Sequence, residues 1–227
     1  MTAPRRTAGA NSSRKVLQLL LAFSGGRPEA SVAELATAIG CPVATTYRYV
    51  ALLKELDLLE EGRAGRYHPT GQVLPLARAA QLTNELARIA RPVLEEAARD
   101  LRETVLLFQH FGDSAVCVER AECDRPVHVT FPLGRAIPLG SGVSGKMMLA
   151  SLPGPPQQKG LERAIADQYV TGSHDGAWAC AVPVHAEGHR ATVLSMAGPA
   201  ARLDDNAKRA AVDALHVYAA RILTRVR

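Results

Sequence analysis

Apolar residues fall at helical spacing near the start of the chain. In SSRKVLQLLLAF, Val16, Leu19, Leu20 and Phe23 occupy i, i+3, i+4 and i+7, one face of a helix that GGRPEA breaks. SVAELATAIG follows, in which Ser31 and Glu34 have capping-box spacing and Gly40 supplies a left-handed stop. Pro42 then opens a helix expected over 43–56, with Tyr47, Val50, Ala51 and Lys54 at helical spacing and Thr45, Thr46, Arg48 and Tyr49 spread around its first turns. DLLEEGRAGRYHPT reads as two short strands around a Gly-rich turn, with Arg63 and Arg66 at the tip and Tyr67 beside them.

The second half changes period. TGQVLPLARAAQLTNELARIARPVLEEAARDL is helix-forming, with Thr70 as a cap and Pro92 dividing a linker helix from a domain-entry helix. TVLLFQHFG, SAVCVERAE and VHVTFPLG then read as strands, and AWACAVPVH pairs with RATVLSMAG across AEGH. MMLASL and LERAIADQY are helical. A closing helix places Ala211, Leu215, Tyr218 and Ile222 on one stripe, with Asp204 and Asp205 capping its start. The fold class is therefore α+β: a tail over 1–11, a winged helix-turn-helix over 12–70, a linker helix over 71–85 and an α/β domain over 86–227.

Charge sharpens this division. Of the 227 residues, 1–80 hold 10 Lys/Arg against 6 Asp/Glu, whereas 81–227 hold 17 against 16, so the net +5 sits mainly at the N-terminal end. A basic winged helix suits double-stranded DNA, with the helix from residue 43 in the major groove and the hairpin tip on an adjacent minor groove or phosphates. The candidate DNA-binding residues are Arg14, Ser31, Pro42, Val43, Ala44, Thr45, Thr46, Tyr47, Arg48, Arg63, Arg66 and Tyr67. The polar start MTAPRRTAGANSSRK lacks an apolar signal core, and no later stretch is apolar enough to span a bilayer, so neither export nor a membrane partner is expected. Four scattered cysteines without a CxxC pair read as reduced thiols in a cytoplasmic protein.

Taken together, SSRKVLQLLLAF, SVAELATAIGCPVATTYRYVALLKELDLLEE and GRYHPTGQVLPLA resemble the DNA-binding half of IclR-type transcriptional regulators. The resemblance continues through GRAIPLGSGVSGKMMLA, ACAVPV and TVLSMAGPAARLDDN, covering residues 12–227. It implies a cytoplasmic homodimer or homotetramer on an operator palindrome and a GAF-like C-terminal domain that holds a small organic effector; repression is the default reading, with activation the alternative. Carried onto this chain, the effector would meet Val129 and Ile137 as apolar walls, Val143 and Ser144 as loop backbone, Cys180 as a soft wall and Ser195 as a hydroxyl, with Asp175 and Trp178 on a lid. The lid-bearing stretch, 152–179, is short for the family.

Enzyme chemistry finds little support. GSGVSGKM contains both G-x-G-x-x-G and G-x-x-x-x-G-K, but Met147 stands where a P-loop needs Ser or Thr, and no strand of a βαβ unit leads into it. The physically simpler reading brings the N–H groups of Gly142, Val143 and Ser144 to a helix N-terminus, which favours a carboxylate-bearing effector. Cys117 and Cys123 are too far apart for a tight chelate, no serine sits in a G-x-S-x-G elbow, and neither a catalytic residue, a metal nor a cofactor is expected. A winged-helix protein adaptor and a small-molecule enzyme with a helical assembly domain remain the alternative readings.

Overall fold

A computed structural model of the chain describes residues 9–154 and 160–226. It divides into two compact units, Met1–Ala80 and Gln81–Arg227. Of the expected tail, residues 1–8 lie outside the described residues, and the first helix begins at Asn11.

In the first unit, α1 (Asn11–Leu21) runs on into a 3-10 turn at Ala22–Gly25, and α2 (Val32–Ile39) and α3 (Val43–Glu55) follow. Leu19, Phe23, Leu35, Ile39, Val50 and Leu53 meet in one core. The Ser31 N–H donates to Glu34 Oε2 at 2.7 Å and the Glu34 N–H to Ser31 Oγ at 3.3 Å, closing the expected capping box. Gly40, at φ +60°, reverses the chain so that the Cys41 N–H reaches the Ala36 carbonyl, while Lys15 Nζ binds the Ile39 carbonyl. A Cβ at 40 would strain that left-handed backbone. The wing has three strands rather than two: β1 (Ala30–Ser31), β2 (Leu59–Glu61) and β3 (Arg66–Pro69), ordered β1-β3-β2, with Arg63–Gly65 as a 3-10 turn at the tip.

Thr70 caps a 3-10 turn ahead of α4 (Leu74–Thr83), and Asn84 accepts from the Ala87 N–H at the start of α5 (Glu85–Leu101). The helical break therefore falls at Asn84 and not at Pro92, which lies inside α5. A side-chain cap ends one helix and starts the next more effectively than the loss of one N–H. No residue of α4 is buried.

The second unit is built on a six-stranded antiparallel sheet, ordered β6-β5-β4-β9-β8-β7. Its strands are β4 (Thr104–Phe111), β5 (Ser114–Ala121), β6 (Ala136–Pro138), β7 (Val170–His174), β8 (Ala177–Val184) and β9 (Thr192–Pro199). α5 and α8 (Asp205–Val226) cover one face, where Leu86, Leu94, Leu194, Met196, Leu215 and Ile222 interlock. Asp204 accepts from the Ala207 N–H and caps α8. α6 (Gly142–Ala150) lies on the other face, with Met147 and Met148 packed on Leu106, Phe108 and Val193, and the short α7 (Glu162–Asp167) follows it. The strand expected over 127–134 is absent. That stretch is a loop whose carbonyls are taken by side chains: Val127 by Arg202, Val129 by Thr104 and Phe131 by Arg120. These bonds satisfy its backbone without a strand partner.

Candidate nucleic-acid interface and ligand cavity

The first-unit candidates separate by the face of α3 on which they fall. Val43, Ala44, Tyr47 and Arg48 are exposed, and Pro42 is the exposed N-cap residue. Thr45 is half-buried. Thr46 is fully buried and its hydroxyl donates to the Pro42 carbonyl at 3.0 Å, so it belongs to the core stripe with Val50 and Leu53. The buried stripe is thus one residue out of step with the expected Tyr47, Val50, Ala51, Lys54 spacing. At the wing, Arg63 is exposed at the tip. Arg66 instead turns back, donating to the Glu29 carbonyl at 3.0 Å and pairing with Glu34 at 3.2 Å, while Tyr67 packs in the core beneath Lys54. Ser31 spends its hydroxyl on Glu34, whose carboxyl is held below its ordinary range first by the Ser31 backbone N–H and then by that hydroxyl. Arg14 is half-exposed on α1.

In the second unit, a cavity of about 260 Å³ opens between α6 and the uncovered half of the sheet. Leu106, Phe108, Phe131, Ile137, Val143, Val170 and Ala179 make an apolar wall, with Phe108 and Phe131 edge-to-face at 5.4 Å. One end is polar. Gly142, Val143 and Ser144 bring the first turn of α6 to the cavity, together with Lys146, Thr171, Ser173 and His174. First-turn N–H groups have no partner within their own helix and carry the positive end of its dipole. Ser144 Oγ and Ser195 Oγ are buried and share a hydrogen bond of 2.8 Å. α6 comes this close to the sheet because residue 145 is glycine: a Cβ there would lie 2.5 Å from the Pro138 carbonyl oxygen.

Comparison with known proteins supplies the relationship. Residues 12–63 match the IclR helix-turn-helix domain, and residues 79–173 match the C-terminal domain of the bacterial transcriptional regulator IclR. The two matches cover well over half of the chain. It belongs to the IclR family. The transcriptional regulator TtgV of Pseudomonas putida is 31% identical over 139 residues, 61% of this chain and 51% of TtgV, and KipR of Bacillus subtilis is 29% identical over 127 residues, 56% of this chain and 51% of KipR. The chain thus matches about half the length of these curated relatives. Among solved structures, an IclR homologue from Microbacterium hydrocarbonoxydans, crystallised with 4-hydroxybenzoate, has the same fold: TM-score 0.65 and 22% identity, covering 95% of this chain and 99% of that one.

Within this IclR-family fold, Ile137, Val143, Ser144 and Ser195 come together at the cavity. Four other candidates do not. Cys180 lies on the α5/α8 face, because strand alternation turns its neighbours Ala179 and Ala181 toward α6; burial pushes its thiol up to about 12. Val129 sits in the loop with its carbonyl held by Thr104 at 2.5 Å, away from the cavity wall. Asp175 is exposed on the β7–β8 turn beside His174, and Trp178 is in the α5/α8 core. The short 152–179 stretch nonetheless supplies a wall through β7, residues 170–174. β7 was missed because VTGSH carries one large apolar residue and a Gly-Ser pair. Phe108 and Phe131 carried an available signal, since both are aromatic residues of predicted strand segments. Among the described residues no group of three or more His, Cys, Asp or Glu could hold a metal, and no helix is long and apolar enough to cross a membrane.

Proposed function

We propose that this chain is a DNA-binding transcriptional regulator whose operator affinity is set by a small aromatic or aliphatic carboxylic acid. The supporting observation is the pairing, in one IclR-family chain, of an exposed α3 face without carboxylates in its first turn and an apolar cavity ending at the α6 N-terminus. An effector ring packs against Phe108, Phe131 and Ile137, while its carboxylate faces the α6 N–H groups and Lys146. Val43, Ala44, Tyr47 and Arg48 meet the major groove, and Arg63 reaches phosphate or the minor groove from the wing.

The active species is a homo-oligomer, a dimer or a tetramer, because two copies of α3 related by a two-fold axis match a palindrome with half-sites a whole number of helical turns apart. The effector binds one arrangement of the DNA-binding units more tightly than another, and that difference in affinity, carried along α4 and α5, shifts operator occupancy. Repression relieved by the effector is the expected direction. The 4-hydroxybenzoate bound by the Microbacterium homologue makes that acid the first probe. The test measures binding of the full chain to the DNA upstream of its gene and to a scrambled duplex, at two salt concentrations, with 4-hydroxybenzoate and a panel of other carboxylic acids. Preferential, salt-sensitive binding that one acid weakens is expected. Equal binding to both duplexes under all conditions would overturn the proposal.

A further inference from the structure

The exposed face of α3 is poor in hydrogen-bonding groups. Val43, Ala44, Tyr47, Arg48 and Ala51 are all exposed, and at the helical turn angle they fall within an arc of roughly 140°. Thr46, Val50 and Leu53 point the opposite way into the core. Of the two threonines that could have addressed base edges, Thr46 is withdrawn by burial and its bond to the Pro42 carbonyl, and half-buried Thr45 lies roughly 60° outside that arc. The first carboxylate of α3 is Glu55, its last residue, and Arg48 makes no ion pair among the described residues.

Each base presents a different pattern in the major groove. Adenine is held best by the amide of Asn or Gln, cytosine by a carboxylate, guanine by Arg or Lys, and the thymine methyl by an apolar side chain. Over residues 43–51 the outward face of α3 contains no amide and no carboxylate. We infer that α3 reads its half-site through thymine methyl groups packed against Val43 and Ala44 and through a single guanine held by Arg48, without direct readout of adenine or cytosine edges. Tyr47, 56% exposed, lies between these contacts with its hydroxyl free to meet phosphate. This inference rests on the DNA-regulator reading and specifies its code.

The experiment selects duplexes from a randomised library with the full chain, then replaces each thymidine of the enriched site by deoxyuridine, one at a time, which deletes only the C5 methyl. At one or more positions in each half-site the affinity is expected to fall ~4-fold, the value of one carbon withdrawn from water. In Val43→Ala, or in Ala44→Gly for the neighbouring contact, thymidine and deoxyuridine at that position should bind within about twofold of each other, because the methyl has lost its partner. Both residues are exposed and a thermal melt verifies that the variants fold. Arg48→Ala should relax preference at one G·C pair by ~10-fold while leaving the thymine positions sensitive. Enrichment of a site in which every thymidine tolerates deoxyuridine with less than a twofold loss would overturn this inference and leave the regulator reading standing. No enrichment of any sequence would overturn both.

Discussion

The two faces of the six-stranded sheet are made by the same strands and end in opposite states. One is covered by α5 and α8, 17 and 22 residues long, and its side chains join them in one buried cluster. The other carries α6, nine residues long, and retains a cavity of about 260 Å³. The helices laid on the two faces differ in length, whereas the strands bury apolar residues on both sides. The cavity lies where the helices leave the sheet incompletely covered.

Substitutions on either face can break or sharpen that contrast. Leu215→Ala, in the fully buried centre of α8, should cost about 2–5 kcal/mol in urea unfolding; a loss below about 1 kcal/mol would mean that the covered face closes over the gap and is less tightly packed than described. Adjacent residues on β8 give the cleaner test. Cys180→Leu adds volume to the filled face and should cost about 1–3 kcal/mol, whereas Ala179→Leu points into the cavity and should change stability by less than about 1 kcal/mol while abolishing the response to effector. Similar costs for both would erase the asymmetry.

Smaller effects follow from titration. Tyr218 on α8 has its phenol pushed up to about 12, first by burial and then by its bond of 2.5 Å to the Asp100 carboxylate. The folded protein therefore holds this proton more tightly than the unfolded chain, and stability should fall as pH climbs from about 10 toward 12. Tyr218→Phe should flatten that slope in pH-dependent melting. The smallest effect is kinetic. Cys117 and Cys180 have thiols that burial raises to about 12, so alkylation of the native protein at pH 8 should label the half-exposed Cys41 well before either, as read by peptide mass.

How far each element was legible tracks how much its pattern could be confused with another. Ser31 with Glu34, Gly40, and the Ala211–Leu215–Tyr218–Ile222 stripe each have one physical reading, and the structure shows all three. α3 is weakly amphipathic, so a stripe starting at Tyr47 competed with the true one starting at Thr46; a threonine can bury its methyl once its hydroxyl finds the carbonyl four residues back. β8 is apolar on almost every residue, which removed the polar alternation that would have told Cys180 from Ala179. The 127–134 run has the alternation of a strand, yet long-range donors from Thr104, Arg120 and Arg202 hold it as a loop, and sequence spacing does not show such partners.

The closeness of α6 to Pro138 also bears on how such a cavity can diversify. With glycine at 145, backbone rests against backbone, so the end of the cavity that carries the helix N–H groups is fixed by main-chain contact and does not depend on neighbouring rotamers. Other parts of the lining are side chains, Phe108 and Phe131 among them, that can be exchanged without moving that stop. Under the proposed function, recognition of the head group and accommodation of the tail are therefore separable traits, and a lineage could acquire a new effector by changing the second while inheriting the first.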